Sequence, residues 1–172
     1  MSEIWSFSLL DTKRKEAVAR HVAAYTMGEA GMQARMKPVS FEKVMADEGL
    51  AFVALDGDQF AGYATMGQQE LDGDELPYKQ VGSLIVAEAF RGRGIAKLLV
   101  AEKTKDVIGD RCIPYAFCNA SSVAVFKTVG YELAFEGELP QAARSVYGNT
   151  PMVYPMHKFL HFENRGASGL EL

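Results

Sequence analysis

Cysteine is scarce in this chain. There are two, Cys112 and Cys118, separated by five residues, and no second pair completes a four-ligand zinc site. No metal is therefore expected. Long apolar runs are missing as well: none approaches the roughly eighteen residues that a membrane span needs. The first residues, Met1-Ser2-Glu3-Ile4-Trp5, lack the basic and apolar regions of a signal peptide. The expectation is a cytoplasmic protein with reduced thiols and no membrane partner. Basic charge is in short supply too. The net charge is −4, with 8 basic and 13 acidic side chains in residues 1–80 and 10 and 9 in residues 81–172. Neither half carries the basic footprint of a nucleic-acid binder. Internal repeats and low-complexity segments are also absent.

What is present suits a packed globule. Hydrophobic residues make up 48% of the chain and charged residues 23%, and 172 residues suffice for one core. One domain over residues 1–163 is expected, followed by a mobile tail, Asn164 to Leu172, rich in glycine and small residues. Ala17, Val18, His21, Val22 and Tyr25 recur at three- and four-residue spacings, which predicts a helix from Thr12 to about Met27. Ser40 suits the N-cap of a second, short helix ending at Asp47. The period then changes. Ala51–Leu55, the turn Asp56-Gly57-Asp58 and Phe60–Met66 predict a β-hairpin. Lys79–Ala87 reads as a central strand, Ile95 to about Gly109 as a helix, and Ile113–Cys118 as a strand. A further helix over Ser121–Val129 is closed by Gly130, and strands are expected at Tyr131–Phe135 and Met152–Phe159. This order predicts a mixed α/β fold, a central sheet of about six to seven strands with helices on both faces.

The chemistry concentrates at Arg91-Gly92-Arg93-Gly94-Ile95-Ala96, a turn between a buried strand and a helix. A helix start leaves up to four backbone N–H groups unpaired and places the positive end of the helix dipole beside them. Gly92 and Gly94 let an anion approach the backbone, and Arg91, Arg93 and Lys97 add positive charge. The ligand should be pyrophosphate-like. A dinucleotide fingerprint fails because Lys97 stands at the third glycine position, and no G-x-x-x-x-G-K-[ST] motif exists.

The segment Val81 to Val100 resembles the acetyl-CoA-binding motif of the GNAT superfamily, with its [RQ]-x-x-G-x-[GA] loop. Asn119 to Tyr131 resembles that family's N-x-x-[AS]-x-x-x-[YF]-x-x-x-G-[FY] helix, matching at Asn119, Ser122, Phe126, Gly130 and Tyr131. The resemblance implies the GNAT acyl-CoA N-acyltransferase fold and acetyl-CoA as cosubstrate. It also implies transfer of an acetyl group to a primary amine of a small molecule or peptide by direct attack in a ternary complex. In that reading the backbone around Arg91, Gly92, Arg93, Gly94, Ile95, Ala96 and Lys97 holds the pyrophosphate. The main chain at Ile85 and Val86 pairs with pantetheine, and Asn119, Ser122 and Phe126 line the arm. Asn119 also suits a helix N-cap, and the two roles are compatible.

Catalytic residues are harder to assign. Phe126 stands where many family members carry a tyrosine thought to protonate the departing thiolate, and a phenyl ring donates no proton. An inactive acyl-CoA-binding sensor is therefore the competing reading. Glu70 and Glu88 are the candidate bases, although Glu88 also suits a solvated turn. Glu70, Asp72, Asp74 and Glu75 form an acidic stretch that would attract a cationic amine if it bordered a substrate mouth. Cys118 is read as a buried small residue, and His21, His157 and His161 as structural or exposed. The acceptor and the choice between monomer and homodimer are left open.

Overall fold

The computed structural model describes residues 1–28, 38–143, 149–155 and 157–158. Seven strands form one sheet in the order β1-β2-β3-β4-β5-β7-β6, with β1 at Glu3–Ser6, β2 at Ala51–Asp56, β3 at Gln59–Leu71, β4 at Tyr78–Val86, β5 at Ile113–Cys118, β6 at Glu132–Leu133 and β7 at Thr150–Val153. Every neighbouring pair is antiparallel except β4 and β5. A parallel pair needs a crossover, and the helix α3, Ile95–Gly109, supplies it.

Side-chain alternation along the strands divides the core between the two faces. On one face Val53, Leu55, Tyr63 and Ile85 meet Val18 and Val22 of α1, Thr12–Gly28, and Val44 of α2, Phe41–Ala46. Asp11 starts α1 by accepting a hydrogen bond from the Arg14 N–H at 2.9 Å. Ser40 does the same for α2, accepting from Lys43 N–H at 3.1 Å. On the other face α3 presses Ile95 and Leu99 onto Ala54, Ala61 and Ala64. The approach is close because that side of the sheet carries small residues. A Cβ on Gly62 would lie 2.9 Å from Leu99 Cδ1 and 3.0 Å from the Ile85 carbonyl oxygen. The short helix α4, Val123–Val129, sits on the α3 side, where Phe126 and Tyr131 share a cluster with Val100, Val107, Ala116 and Cys118.

The expected elements are present, with corrections at the ends. The strand expected over Met152–Phe159 runs instead from Thr150 to Val153; Tyr154 N–H still donates to the Pro114 carbonyl at 2.9 Å, but Pro114 has no N–H to return the bond. Only Glu132–Leu133 of the expected Tyr131–Phe135 strand pairs, and α4 begins at Val123 rather than Ser121. In the other direction, β3 extends to Leu71, beyond the expected end at Met66. β1 has no counterpart in the sequence reading, because four residues are too few to reveal a period of two. The tail expected from Asn164 to Leu172 lies outside the described residues.

Candidate active site

The turn after β4 is built to leave backbone donors exposed. A single 3-10 turn, Glu88–Phe90, carries the chain off the strand, and Gly92 and Gly94 follow with φ of 76° and 78°. Those values lie in the left-handed region, where side chains with a Cβ are strained and glycine is not. Gly94 is the N-cap of α3, with no side chain capping it and no acidic residue in the first turn. The first helical bond runs from Leu98 N–H to the Gly94 carbonyl at 3.2 Å. The N–H groups of Ile95, Ala96 and Lys97 thus have no acceptor within the helix, and they point along its axis. A Cβ at Gly92 or Gly94 would meet nothing within 4 Å, so open space faces this backbone.

The three cations of the turn differ in setting. Arg93 lies over the Phe90 ring, 5.0 Å from guanidinium carbon to centroid, and Lys97 is exposed on the first turn of α3. Arg91 is held at two points. Its Nε donates to the Val86 carbonyl at 3.2 Å, and one Nη donates to the hydroxyl of Tyr25 on α1.

Beside this loop the sheet comes apart. β4 and β5 pair only at Tyr78, Lys79 and Gln80 against Ile113, Pro114 and Tyr115, although β4 continues to Val86 and β5 to Cys118. A bulge in β4 accompanies the split: Tyr63 faces Ile85 but Thr65 faces Gly82, and Ser83 takes a φ of 49°. A serine in that region is strained by about 1–3 kcal/mol. The Ala87 N–H donates to the Ala61 carbonyl at 2.9 Å, so by strand alternation Ile85 directs its polar backbone groups at β3 and Val86 directs its own into the gap. Of the two residues expected to pair with pantetheine, Val86 therefore presents its main chain there and Ile85 packs in the core. The serine bulge escaped the sequence reading. Its signal was Gly82, an isolated glycine inside an apolar strand.

The second motif closes the far side of the gap. The Asn119 amide oxygen accepts from Ser121 N–H at 3.1 Å, Ser122 N–H at 3.0 Å and the Ser121 hydroxyl at 2.7 Å, so it caps the turn that leads into α4, whose own N-cap is Ser122. Ser122 donates its hydroxyl to the Asn119 carbonyl at 3.3 Å. Phe126 is buried, its ring edge-on to Tyr131 at 4.9 Å between centroids. Tyr131 in turn shares a 2.8 Å hydroxyl contact with Thr104, and burial pushes its phenol well above the ordinary range.

Neither candidate base borders the bulge. Glu70 pairs with Lys79 at the closed end of the split, about 13 Å along β4 from Ser83 at ~3.3 Å per residue. Its carboxylate receives the Cys112 thiol at 3.4 Å. Glu88 is exposed on the 3-10 turn. The acidic residues Asp72, Asp74 and Glu75 lie between β3 and β4, at the end of the sheet opposite the glycine turn. Both thiols are buried, and burial pushes Cys112 and Cys118 up to about 11. His21 stacks on Phe60 at 5.2 Å, away from the gap, and His161 lies outside the described residues. Among the described residues no cluster of His, Cys, Asp or Glu is arranged to hold a metal ion, and no helix is long and apolar enough to cross a membrane.

Known proteins resemble this chain in sequence and in fold. The chain is 26% identical over 122 residues to YhbS of Escherichia coli (strain K12), described as an uncharacterized N-acetyltransferase, and the match covers 70% of each chain. Its fold is similar to that of N-acetylglutamate synthase from Neisseria gonorrhoeae, whose structure was solved with coenzyme A and N-acetyl-glutamate. The TM-score is 0.64 at 16% identity, covering 89% of this chain and 34% of that one, so the chain spans about a third of the synthase. The ribosomal-protein-S18-alanine N-acetyltransferase of Escherichia coli superposes with a TM-score of 0.54 at 14% identity, covering 89% of this chain and 90% of that one. At such identities the structural likeness establishes the acyltransferase fold and nothing finer. The sequence itself matches the model of the Acetyltransferase (GNAT) family over residues 16–131, from within α1 to the end of the second motif. The split sheet and the glycine turn thus belong to a recognised lineage: the chain is a member of the GNAT acetyltransferase family, and an acyltransferase.

Proposed function

We propose that this enzyme transfers an acetyl group from acetyl-CoA to a primary amine of a small molecule or peptide, by direct attack in a ternary complex. The observation that carries this reading is the gap between β4 and β5, which opens beside the uncapped start of α3. The residues present suit such a donor. The N–H groups of Ile95, Ala96 and Lys97, with Arg91, Arg93 and Lys97 around them, form a cradle for a pyrophosphate. Val86 offers main-chain groups to an amide-bearing arm laid in the gap like an added strand. The Asn119 amide oxygen is committed to its cap, which leaves the NH2 to face that arm. Backbone N–H groups on the open edge of β4 would stabilise negative charge developing on an acyl oxygen.

Direct attack is favoured over a covalent acyl-enzyme because both thiols stay protonated at neutral pH, and a thiol in that state is a poor nucleophile. Phe126 supplies no proton, so the thiolate leaves unassisted at a cost of about 2 kcal/mol, the mismatch between a thiol pKa of ~8.5 and pH 7. That handicap slows an enzyme without stopping it.

The test is release of free CoA from acetyl-CoA with a panel of polyamines, aminoglycosides, amino acids and peptides. Stimulation by at least one amine is expected. No stimulation by any amine, with acetyl-CoA still bound, would show a binding module without turnover. The pH profile carries a further expectation. An amine of pKa ~10.4 is neutral in about one molecule in 2,500 at pH 7, and neither Glu70 nor Glu88 borders the bulge. With such an acceptor kcat/KM should climb about tenfold per pH unit from pH 6 to 9. A plateau below pH 8 would reveal a base on the enzyme.

A further inference from the structure

We infer that Tyr25 is a positioning residue for the acyl-donor loop, holding the Arg91 guanidinium in place from the opposite layer of the molecule. This rests on the donor-site reading above and deepens it. The Arg91 side chain is exposed, and an arginine in that setting samples many rotamers, losing that freedom when a ligand fixes it. Here two separate elements already hold it. The Nε–H donates to the Val86 carbonyl, whose residue turns its polar backbone groups into the gap, and one Nη donates to the Tyr25 hydroxyl.

Tyr25 is a firm anchor. It is half-buried near the end of α1, which is fixed to the sheet by Val18, Val22 and Thr26, all fully buried or nearly so. Thr26 also donates to the Val22 carbonyl at 3.0 Å and accepts from Val39 N–H at 3.0 Å, tying this last turn to the segment before α2. A guanidinium has five N–H donors in a rigid fork. The two anchors engage two of them and fix the plane of the group, in the residue that immediately precedes Gly92 and the uncapped start of α3. Arg91 is therefore ordered before the ligand arrives, and binding does not have to order it. The same bonds tie the α1 layer to a loop on the α3 side of the sheet.

The experiment is a double-mutant cycle read by calorimetric titration with CoA, on wild type, Tyr25→Phe, Arg91→Ala and the double variant. Tyr25→Phe keeps the ring and removes only a partly exposed hydroxyl, so the melting temperature should stay within about two degrees. CoA binding should weaken roughly three- to tenfold, as for loss of one preorganising contact. Arg91→Ala should weaken it roughly five- to thirtyfold. The double variant should match Arg91→Ala alone, because the hydroxyl then has nothing to hold. Arg91→Lys should recover part of the affinity lost in Arg91→Ala, since the charge remains while the planar fork that the two anchors orient is gone. Unchanged affinity in Tyr25→Phe, or losses that simply add, would overturn the role of Tyr25 while leaving the donor site standing. Failure of wild type to bind CoA would overturn both.

Discussion

Phe126 and the two cysteines each carry a testable consequence of where they sit. Phe126→Tyr keeps the ring against Tyr131 and adds a hydroxyl where the family pattern has one, so CoA affinity should change less than about twofold. Turnover should rise by no more than about thirtyfold, the equivalent of the ~2 kcal/mol thiol mismatch. Thiol release across pH 6 to 9 with the best acceptor checks this; no change at any pH would mean another group already serves the thiolate. The cysteines make a prediction about stability. Burial raises both thiols from 9.0 to about 11, so the folded chain holds their protons more tightly than the unfolded one does. Their contribution is complete below pH 9 and is lost as pH rises through 11. Melting temperature should therefore fall over pH 9 to 11, and Cys118→Ala should flatten that fall while lowering the temperature at pH 7. Lys103, buried and lowered by desolvation, tilts the curve the other way over the range just below 10.5. At this scale the sequence was readable where function is local. Asn119 was legible as a capping residue, although it caps the turn ahead of α4 and not the helix itself, whereas Tyr25 had no signal, because its partner is 66 residues away.

Among the elements, α3 does most to shape the site, and its position is set by the small residues beneath it. Gly62→Ala would place a Cβ against Leu99, Ile95 and the Ile85 carbonyl, and the last is backbone that cannot turn aside. The expected cost is about 1–3 kcal/mol, read as a fall of several degrees in melting temperature, together with weaker CoA binding as the helix start shifts. Gly109→Ala, at the other end of the same helix, meets nothing within 4 Å and should be neutral or stabilising. Equal effects at the two positions would remove the argument from close packing. Helices and long strands were legible because three or more turns, or five alternating residues, impose a period. Short strands were not: β1 pairs with β2 over only four residues, and what makes it a strand is its partner. Met152–Phe159 looks like a strand by apolar content, but the ladder ends opposite Pro114 on β5, a veto set by the partner strand that the segment's own pattern does not contain.

At the scale of the whole molecule, the sheet consists of two parts joined by three residue pairs. β1 to β4 form an antiparallel unit with α1 and α2 behind it, and β5, β7 and β6 form another. Amides of residues 113–118 and 150–153 should thus exchange with deuterium together, and sooner than those of β2 and β3. CoA should slow them by bridging the seam. Uniform exchange in both halves, with or without CoA, would show that α3 alone clamps the sheet. Among the described residues no element fills the open stretch of that seam, and the proposed donor would do so as it is bound. Every turnover then removes a splint and waits for the next. When acetyl-CoA runs low, the C-terminal half is held by three pairs and a helix, so its susceptibility to proteases should rise as supply falls. The lifetime of the enzyme would then follow the abundance of its own substrate, by the same opening that lets the substrate in.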